Sequence, residues 1–240
     1  MTNPVLAWHF ASAAGLRDGR PLPPDGVTLR HTGDLIMCER GLHASERLID
    51  ALNYAPGPIV CRVQCGGRII REIDKLDCME RTIHWRFDAT EVLQIFARQC
   101  ALDVAHLWDM PAIVRQFLAN GDETLRADAR FAARNLAWDT TNAARDAAWA
   151  AAWAADWDAA WAADWDAPSA TVSAAMATAW VNASASARDA AWAVAEATRG
   201  AAWTTAEDFG ATTIGAAWEA AKATQNLRLT AAIEAARNNA

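Results

Sequence analysis

Between Ala147 and Pro168 the chain reads AAWAAAWAADWDAAWAADWDAP, with tryptophan at 149, 153, 157, 161 and 165. No other stretch restricts the possible folds so strongly. Alanine is the best helix former and lets helix axes approach closely. Tryptophan buries roughly 150–250 Å² wherever a neighbour leaves room for it. Each four-residue step turns about 400°, so the row drifts by about 40° per tryptophan. From Trp149 to Trp165 the stripe therefore wraps about 160° around a helix. One partner helix is too narrow to cover it. Helices pack on two sides, or a second copy of the chain does, or part of the stripe stays open for a ligand.

The same pattern runs further. Ten of the thirteen tryptophans lie between 138 and 218, and most gaps are 4, 11 or 15 residues, which keep a side chain near one helix face. ARDAAWA occurs twice, at 144–150 and 187–193. Pro168 ends the first run, a second covers roughly 172–199, and Gly200, Gly210 and Gly215 divide the rest. These signals predict a compact bundle or short-helix stack.

Before residue 90 the chain is different. Most of the prolines, four of the five cysteines and the single tyrosine, Tyr54, are there. Val5–Phe10, Val27–Arg30, Leu35–Cys38 and Thr82–Phe87 read as strands. Ser45 reads as the cap of a helix carrying Leu48, Ile49 and Leu52. PIVCRVQC alternates Val60, Arg62 and Gln64 against Cys61, Val63 and Cys65. Gly66-Gly67 then reads as a hairpin turn, with RIIREI as the returning strand. Asp88 and Glu91 form a capping pattern ahead of a helix with Val92, Leu93, Phe96 and Cys100 on one face. Asn120-Gly121 stops a second helix, and Asp122 opens a third. The expected fold class is α+β: a small mixed α/β domain over 1–88, followed by an all-α, Ala/Trp-rich helical bundle or short-helix repeat over 89–240.

Charge limits the functions open to the chain. The formal net charge is −7. Residues 1–138 hold 16 Lys+Arg against 17 Asp+Glu, or −1, and residues 139–240 hold 6 against 12, or −6. That balance argues against general nucleic-acid binding and against anionic membrane surfaces. No apolar run approaches the ~20 residues of a membrane span. MTNPVLAWHFASAAG lacks a basic leader region, so the reading is a cytoplasmic protein without a signal peptide. The odd number of cysteines fits reduced thiols. A zinc site of Cys61, Cys65 and Cys78 is disfavoured, because Cys61 and Cys65 lie four apart in one strand, roughly 13 Å from each other.

Asp156, Asp158, Asp164 and Asp166 crowd the C-terminal end of the first tryptophan helix, where the helix dipole opposes anions. They read as a solvated face, or more sharply as a dock for a basic partner or a cation. Trp149, Trp153, Trp157, Trp161 and Trp165 read as core, or more sharply as aromatic platforms for a ligand. The common nucleotide-loop, dinucleotide, nucleophile-elbow and zincin motifs are absent.

Two resemblances bear on the N-terminal domain. CERGLHAS (38–45), ALNY (51–54), PIVCRVQC and MERTIHW (79–85) together resemble the ADP-ribosyltransferase fold of the diphtheria-toxin and poly-ADP-ribosyl class. That resemblance implies His9, Tyr54 and Glu80 as catalytic residues, Ser45 near the nicotinamide ribose, and NAD as cofactor. Glu80 would stabilise an oxocarbenium-like centre through a ribose hydroxyl. His43 stands where those enzymes carry an aromatic residue.

The second resemblance covers more of the chain. Gly41-Leu42-His43, the strand Ile59–Gly66, Ile73-Asp74-Lys75 and Glu80-Arg81-Thr82 are similar to a family of phage and prophage proteins, the DUF7666 type. Its members often continue into Ala/Trp/Arg-rich helical tails, which also resemble immunity proteins of the Imm-5 type. The tail here departs by using Asp where Arg is common. This resemblance implies a phage or prophage setting. The leading expectation is a non-enzymatic accessory binding protein without cofactor or metal. It would act in counter-defence by engaging a protein partner or sequestering a small ligand, with His43, Ser45, the tryptophan stripe and the four aspartates as the binding residues. The alternative is an ADP-ribosyltransferase-like enzyme.

Overall fold

The computed structural model describes residues 3–16, 20–137 and 214–240. Two compact units divide them, one running to Thr90 and the other holding residues 91–137 and Ile214–Asn238.

The first unit is built on a five-stranded antiparallel sheet. In chain order its elements are β1 (Val5–Ala11), β2 (Thr28–Arg30), β3 (Leu42–Ala44), α1 (Leu48–Leu52), β4 (Ile59–Arg71) and β5 (Leu76–Asp88). The order across the sheet is β1-β4-β5-β2, with β3 also paired to β5. β4 and β5 form the long central hairpin. The other edge of β5 is covered twice, by β3 at Leu76–Cys78 and by β2 at Glu80–Thr82. Two short strands thus cap an edge that would otherwise expose a row of unpaired backbone groups.

The alternation read on β4 is present. Cys61, Val63 and Cys65 enter one core with Ala7, Ala11, Ala44, Leu76, Cys78 and Ile83. The connection before β2 is pinned to β5: Arg86 donates from Nε to Asp25 at 2.7 Å, and Gly26 N–H reaches the Ile83 carbonyl at 2.8 Å.

The expected fold class needs correction. Where a mixed α/β domain was expected, the N-terminal part is a five-stranded antiparallel sheet with, among the described residues, one five-residue helix. Gly66-Gly67 is not the hairpin turn. β4 runs through it to Arg71 with a register shift between Gly66 and Ile69, and the chain reverses at 72–75, where Glu72 N–H meets the Lys75 carbonyl at 2.9 Å. A glycine pair relaxes the backbone equally for a bulge and for a turn, so period-two alternation on both sides does not distinguish them. Leu35–Cys38 is not a strand: Ile36 and Arg40 exchange backbone hydrogen bonds of 2.9 and 2.8 Å and close a tight turn. Ser45 does not cap α1; the cap position is Arg47, and Ser45 instead exchanges backbone bonds with Trp8.

The second unit contains α2 (Thr90–Asp103), α3 (Ala112–Asn120), α4 (Arg126–Ala137) and α5 (Ile214–Asn238), with two short 3₁₀ turns. Asp88 accepts from Thr90 N–H at 3.0 Å and from its hydroxyl at 2.6 Å, so the capping acid sits two residues before the first helical residue. Gly121 takes φ +69° and returns its N–H to the Phe117 carbonyl at 2.8 Å, the left-handed stop that glycine permits. Asp122 caps the following turn through Thr124 N–H at 2.9 Å. Leu93, Phe96, Val114, Phe117, Leu229 and Ile233 are buried. Arg228 on α5 pairs with Asp103 at the end of α2. The expected Ala/Trp bundle or short-helix repeat over 89–240 falls largely on residues 138–213, which lie outside the described residues; the described residues after 88 form a few helices.

Candidate functional site

The polar groups of the first unit gather where β3, the tight turn before it and the β4–β5 turn meet. β3 lies antiparallel to the start of β5 and sets His43 directly opposite Asp77. His43 Nε2 approaches Asp77 Oδ1 at 2.9 Å, and the Asp77 side chain is fully buried. The approach is close enough for a charge contact. Burial pushes the Asp77 carboxyl up, with His43, the Cys38 backbone N–H and Lys75 acting the other way.

Gly41 makes this approach possible. It takes φ +145°, and a Cβ there would lie 3.2 Å from Asp77 Cγ and 3.0 Å from Leu35 Cδ2. A side chain at 41 would be strained and would crowd the carboxylate.

Inward from His43, the guanidinium of Arg81 donates to the His43 carbonyl and lies 3.2 Å from His9 Nδ1. Arg81 is 4% exposed, and its Nε has no hydrogen-bond partner. Three buried thiols, Cys61, Cys65 and Cys78, supply much of its electrostatic surroundings. Burial pushes Cys61 up to about 12. The bond to Cys78, then burial, pushes Cys65 up as well, and Cys78 donates to the Leu42 carbonyl at 3.2 Å. Among the described residues no group of side chains is placed to hold a metal ion.

Outward, the tight turn carries Cys38 at φ +66°, the one non-glycine positive φ among the described residues. Lys75 Nζ donates to Cys38 Sγ at 3.1 Å, pairs with Glu72 at 3.2 Å and lies 5.3 Å from the Tyr54 ring centre. Tyr54 donates its hydroxyl to Asp74 at 2.7 Å. Partial burial, that bond and the Asp74 charge push the phenol up to about 12. Beside it, Ile73 stands 95% exposed at the tip of the turn.

The residues of the ADP-ribosyltransferase resemblance do not meet. His9 shares a sheet face with Arg81, whereas Glu80, next along β5, faces the other way and pairs with Arg30. Tyr54 is engaged by Asp74. Ser45 is buried beside Trp8. His43 belongs to the cluster through Asp77. Trp149, Trp153, Trp157, Trp161 and Trp165, with Asp156, Asp158, Asp164 and Asp166, lie outside the described residues.

The structure adds Cys38, Lys75, Asp77 and Arg81, which reading along the sequence did not single out. The one available signal was that they sit within or beside the GLH, IDK and ERT segments, which the fold brings together. A separate shallow cavity of about 360 Å³, lined by residues including Ser12, Gly15, Leu22, Ile59 and Arg86, contains none of the expected site residues. Among the described residues no helix is long and apolar enough to cross a membrane.

Neither the curated proteins nor the solved structures contain a match to the chain. Residues 22–95 match the family described as Domain of unknown function (DUF7666), and the matched segment holds the whole cluster except His9.

Proposed function

We propose that the chain is a non-enzymatic binding protein whose β4–β5 turn forms part of the contact surface. The observation that carries this reading is the state of that turn. Ile73 is 95% exposed at its tip, while Tyr54–Asp74 and Lys75–Cys38 hold the flanks in place. A large apolar side chain on a braced turn has its ordering cost met before any partner arrives. Tyr54, 41% exposed, adds an amphipathic ring of the kind enriched at interfaces. The buried polar groups are committed to one another, which suits a scaffold better than a reaction centre.

The setting we propose is the cytoplasm of a bacterial host. There the protein acts as a phage or prophage accessory in counter-defence, engaging a host or competitor protein or sequestering a small ligand. The Ala/Trp tail, with its row of tryptophans and four aspartates, is the second part of this reading. The rival reading, an NAD-using ADP-ribosyltransferase-like enzyme, requires His9, Tyr54 and Glu80 around one ribose. Their separate partners weigh against it.

The test uses the full chain with host lysate. A protein retained by wild type and lost from Ile73→Asp, with the circular dichroism spectrum unchanged, supports the reading. Nothing retained by wild type counts against it. Transfer of label from NAD to lysate proteins that disappears in Glu80→Gln overturns it in favour of the enzyme.

A further inference from the structure

All five cysteines fall among the described residues. Four are buried, and Cys38 alone is exposed. Cys38 is also the thiol with an amine against it, Lys75 Nζ at 3.1 Å. The contact is built from both sides. The Ile36–Arg40 turn holds Cys38 in a left-handed conformation that a side chain seldom adopts, against the buried Asp77. Lys75 closes the β4–β5 turn through its carbonyl and is tethered by Glu72 at 3.2 Å. Two hydrogen-bonded turns therefore present one sulfur and one nitrogen to each other at the surface.

We propose that Cys38 and Lys75 form an oxidative modification site, in which a hydroperoxide converts the thiol to a sulfenic acid and Lys75 then closes a covalent sulfur–nitrogen link. In the first step the thiol sulfur attacks the peroxide. The O–O bond breaks, sulfur loses two electrons, and Cys–SH + H₂O₂ gives Cys–SOH + H₂O. In the second, Lys75 releases a proton to water and its lone pair attacks the sulfur. The S–O bond breaks and the hydroxyl leaves as water, so Cys–SOH + Lys–NH₃⁺ gives Cys–S–NH–Lys + H₂O + H⁺. No further oxidant is consumed. An added thiol reverses the link by attacking the sulfur and releasing the amine.

The surroundings control the second step. The bond to Cys38, followed by the bond to Glu72, holds the Lys75 ammonium above its ordinary range. Oxidation of the sulfur weakens the first of those holds, and rising pH frees the amine. Link formation therefore accelerates toward alkaline pH. The titratable groups around Lys75 are Cys38, Glu72, Tyr54 and, farther in, Asp77. Closing the link joins the turn before β3 to the β4–β5 turn. The site stands whether or not that turn binds a partner.

The experiment treats the full-length protein with dilute hydrogen peroxide, blocks remaining thiols, and maps tryptic peptides by mass. The expected product joins the Cys38 and Lys75 peptides, weighs two hydrogens less than their sum, resists cleavage after Lys75 and separates on treatment with dithiothreitol. Proximity in the fold should matter, so the yield drops roughly tenfold or more when the same treatment is done in denaturant. Lys75→Arg should stop at a sulfenic acid that dimedone traps on Cys38, and Cys38→Ser should give neither product. Should Cys38 of the wild type proceed to sulfinic acid or an intermolecular disulfide while trypsin still cuts after Lys75, the proposal is overturned. Equal yields in native and denatured protein overturn it as well.

Discussion

The two ends of the polar cluster differ in what holds them. Arg81, with His9, Cys61, Cys65 and Cys78, sits in the sheet core, where the guanidinium is nearly sealed from water and, among the described residues, has no carboxylate bonded to it. Lys75, with Cys38, Tyr54 and Asp74, sits at the surface, where every charged group has an opposite or polar neighbour and access to solvent. Chemically the sets are similar: a cation, thiol sulfur and a ring. Burial makes one a structural element and leaves the other free to meet reagents and partners. In a low dielectric, removing one member strands its neighbours, whereas at the surface water replaces whatever is lost.

The largest test of this contrast is Arg81→Ala. It leaves the His43 carbonyl without its donor and opens a cavity beside Cys65. We expect a loss of about 3 kcal/mol in urea unfolding, in line with breaking a buried polar network. A loss below about 1 kcal/mol would mean that the interior relaxes as easily as the surface.

Gly41→Ala comes next, because it probes the point where the two ends join. A Cβ at φ +145° crowds Asp77 and costs about 2 kcal/mol. The loss should shrink in a Gly41→Ala, Asp77→Ala double variant if the clash with the carboxylate is the cause, and stay unchanged if backbone strain or the contacts with Leu35 and the Asp77 Cβ are.

Tyr54 gives a smaller effect with a clean readout, since it is the single tyrosine. Partial burial and Asp74 push its phenol up from the ordinary 10.0 to about 12. Stability from this group is therefore complete below about 10 and is lost as pH rises through about 12. Tyrosinate absorbance should rise late in the folded protein, and earlier in Asp74→Asn. The stability change will be only a fraction of what the shift alone implies, because the ring is partly exposed and solvent screens it.

The smallest expected effect is that of Lys75→Ala. Its ion pair with Glu72 is a surface one, so the unfolding free energy should change by no more than about 0.5 kcal/mol. A drop as large as that for Arg81→Ala would erase the distinction between the two ends.

The local signals in the sequence were readable where the deciding chemistry lies within a few residues. The left-handed stop at Gly121, the caps at Asp88 and Asp122, and β1 with its Val5–Phe10 run all follow from neighbours along the chain. The alternation of Cys61, Val63 and Cys65 against Val60, Arg62 and Gln64 also placed two thiols on one face. The misreadings share a cause. Gly66-Gly67 suits a turn or a bulge equally, and only pairing with β5 decides for the bulge. β3 is three residues long, too short to show a period.

Of the expected site, His9 and His43 were named before their partners. Asp77 and Arg81 went unnoticed because Asp77 meets His43 across the paired β3 and β5, and Arg81 meets His9 across the intervening β4, relations that position along the chain does not record. The Cys38–Lys75 contact joins two turns distant in sequence and was hidden for the same reason.

What the sequence determined by itself was therefore local: where helices start and stop, which side chains on β4 share a face, and that the charge balance is acidic. The tertiary structure alone decided that GLH, IDK and ERT converge, that Glu80 faces away from His9, and that one thiol of five meets water. The physical reason is the range of the forces involved. Capping and alternation act between near neighbours in the chain, but burial and charge pairing depend on which strand lies beside which, and that is settled only when the sheet closes.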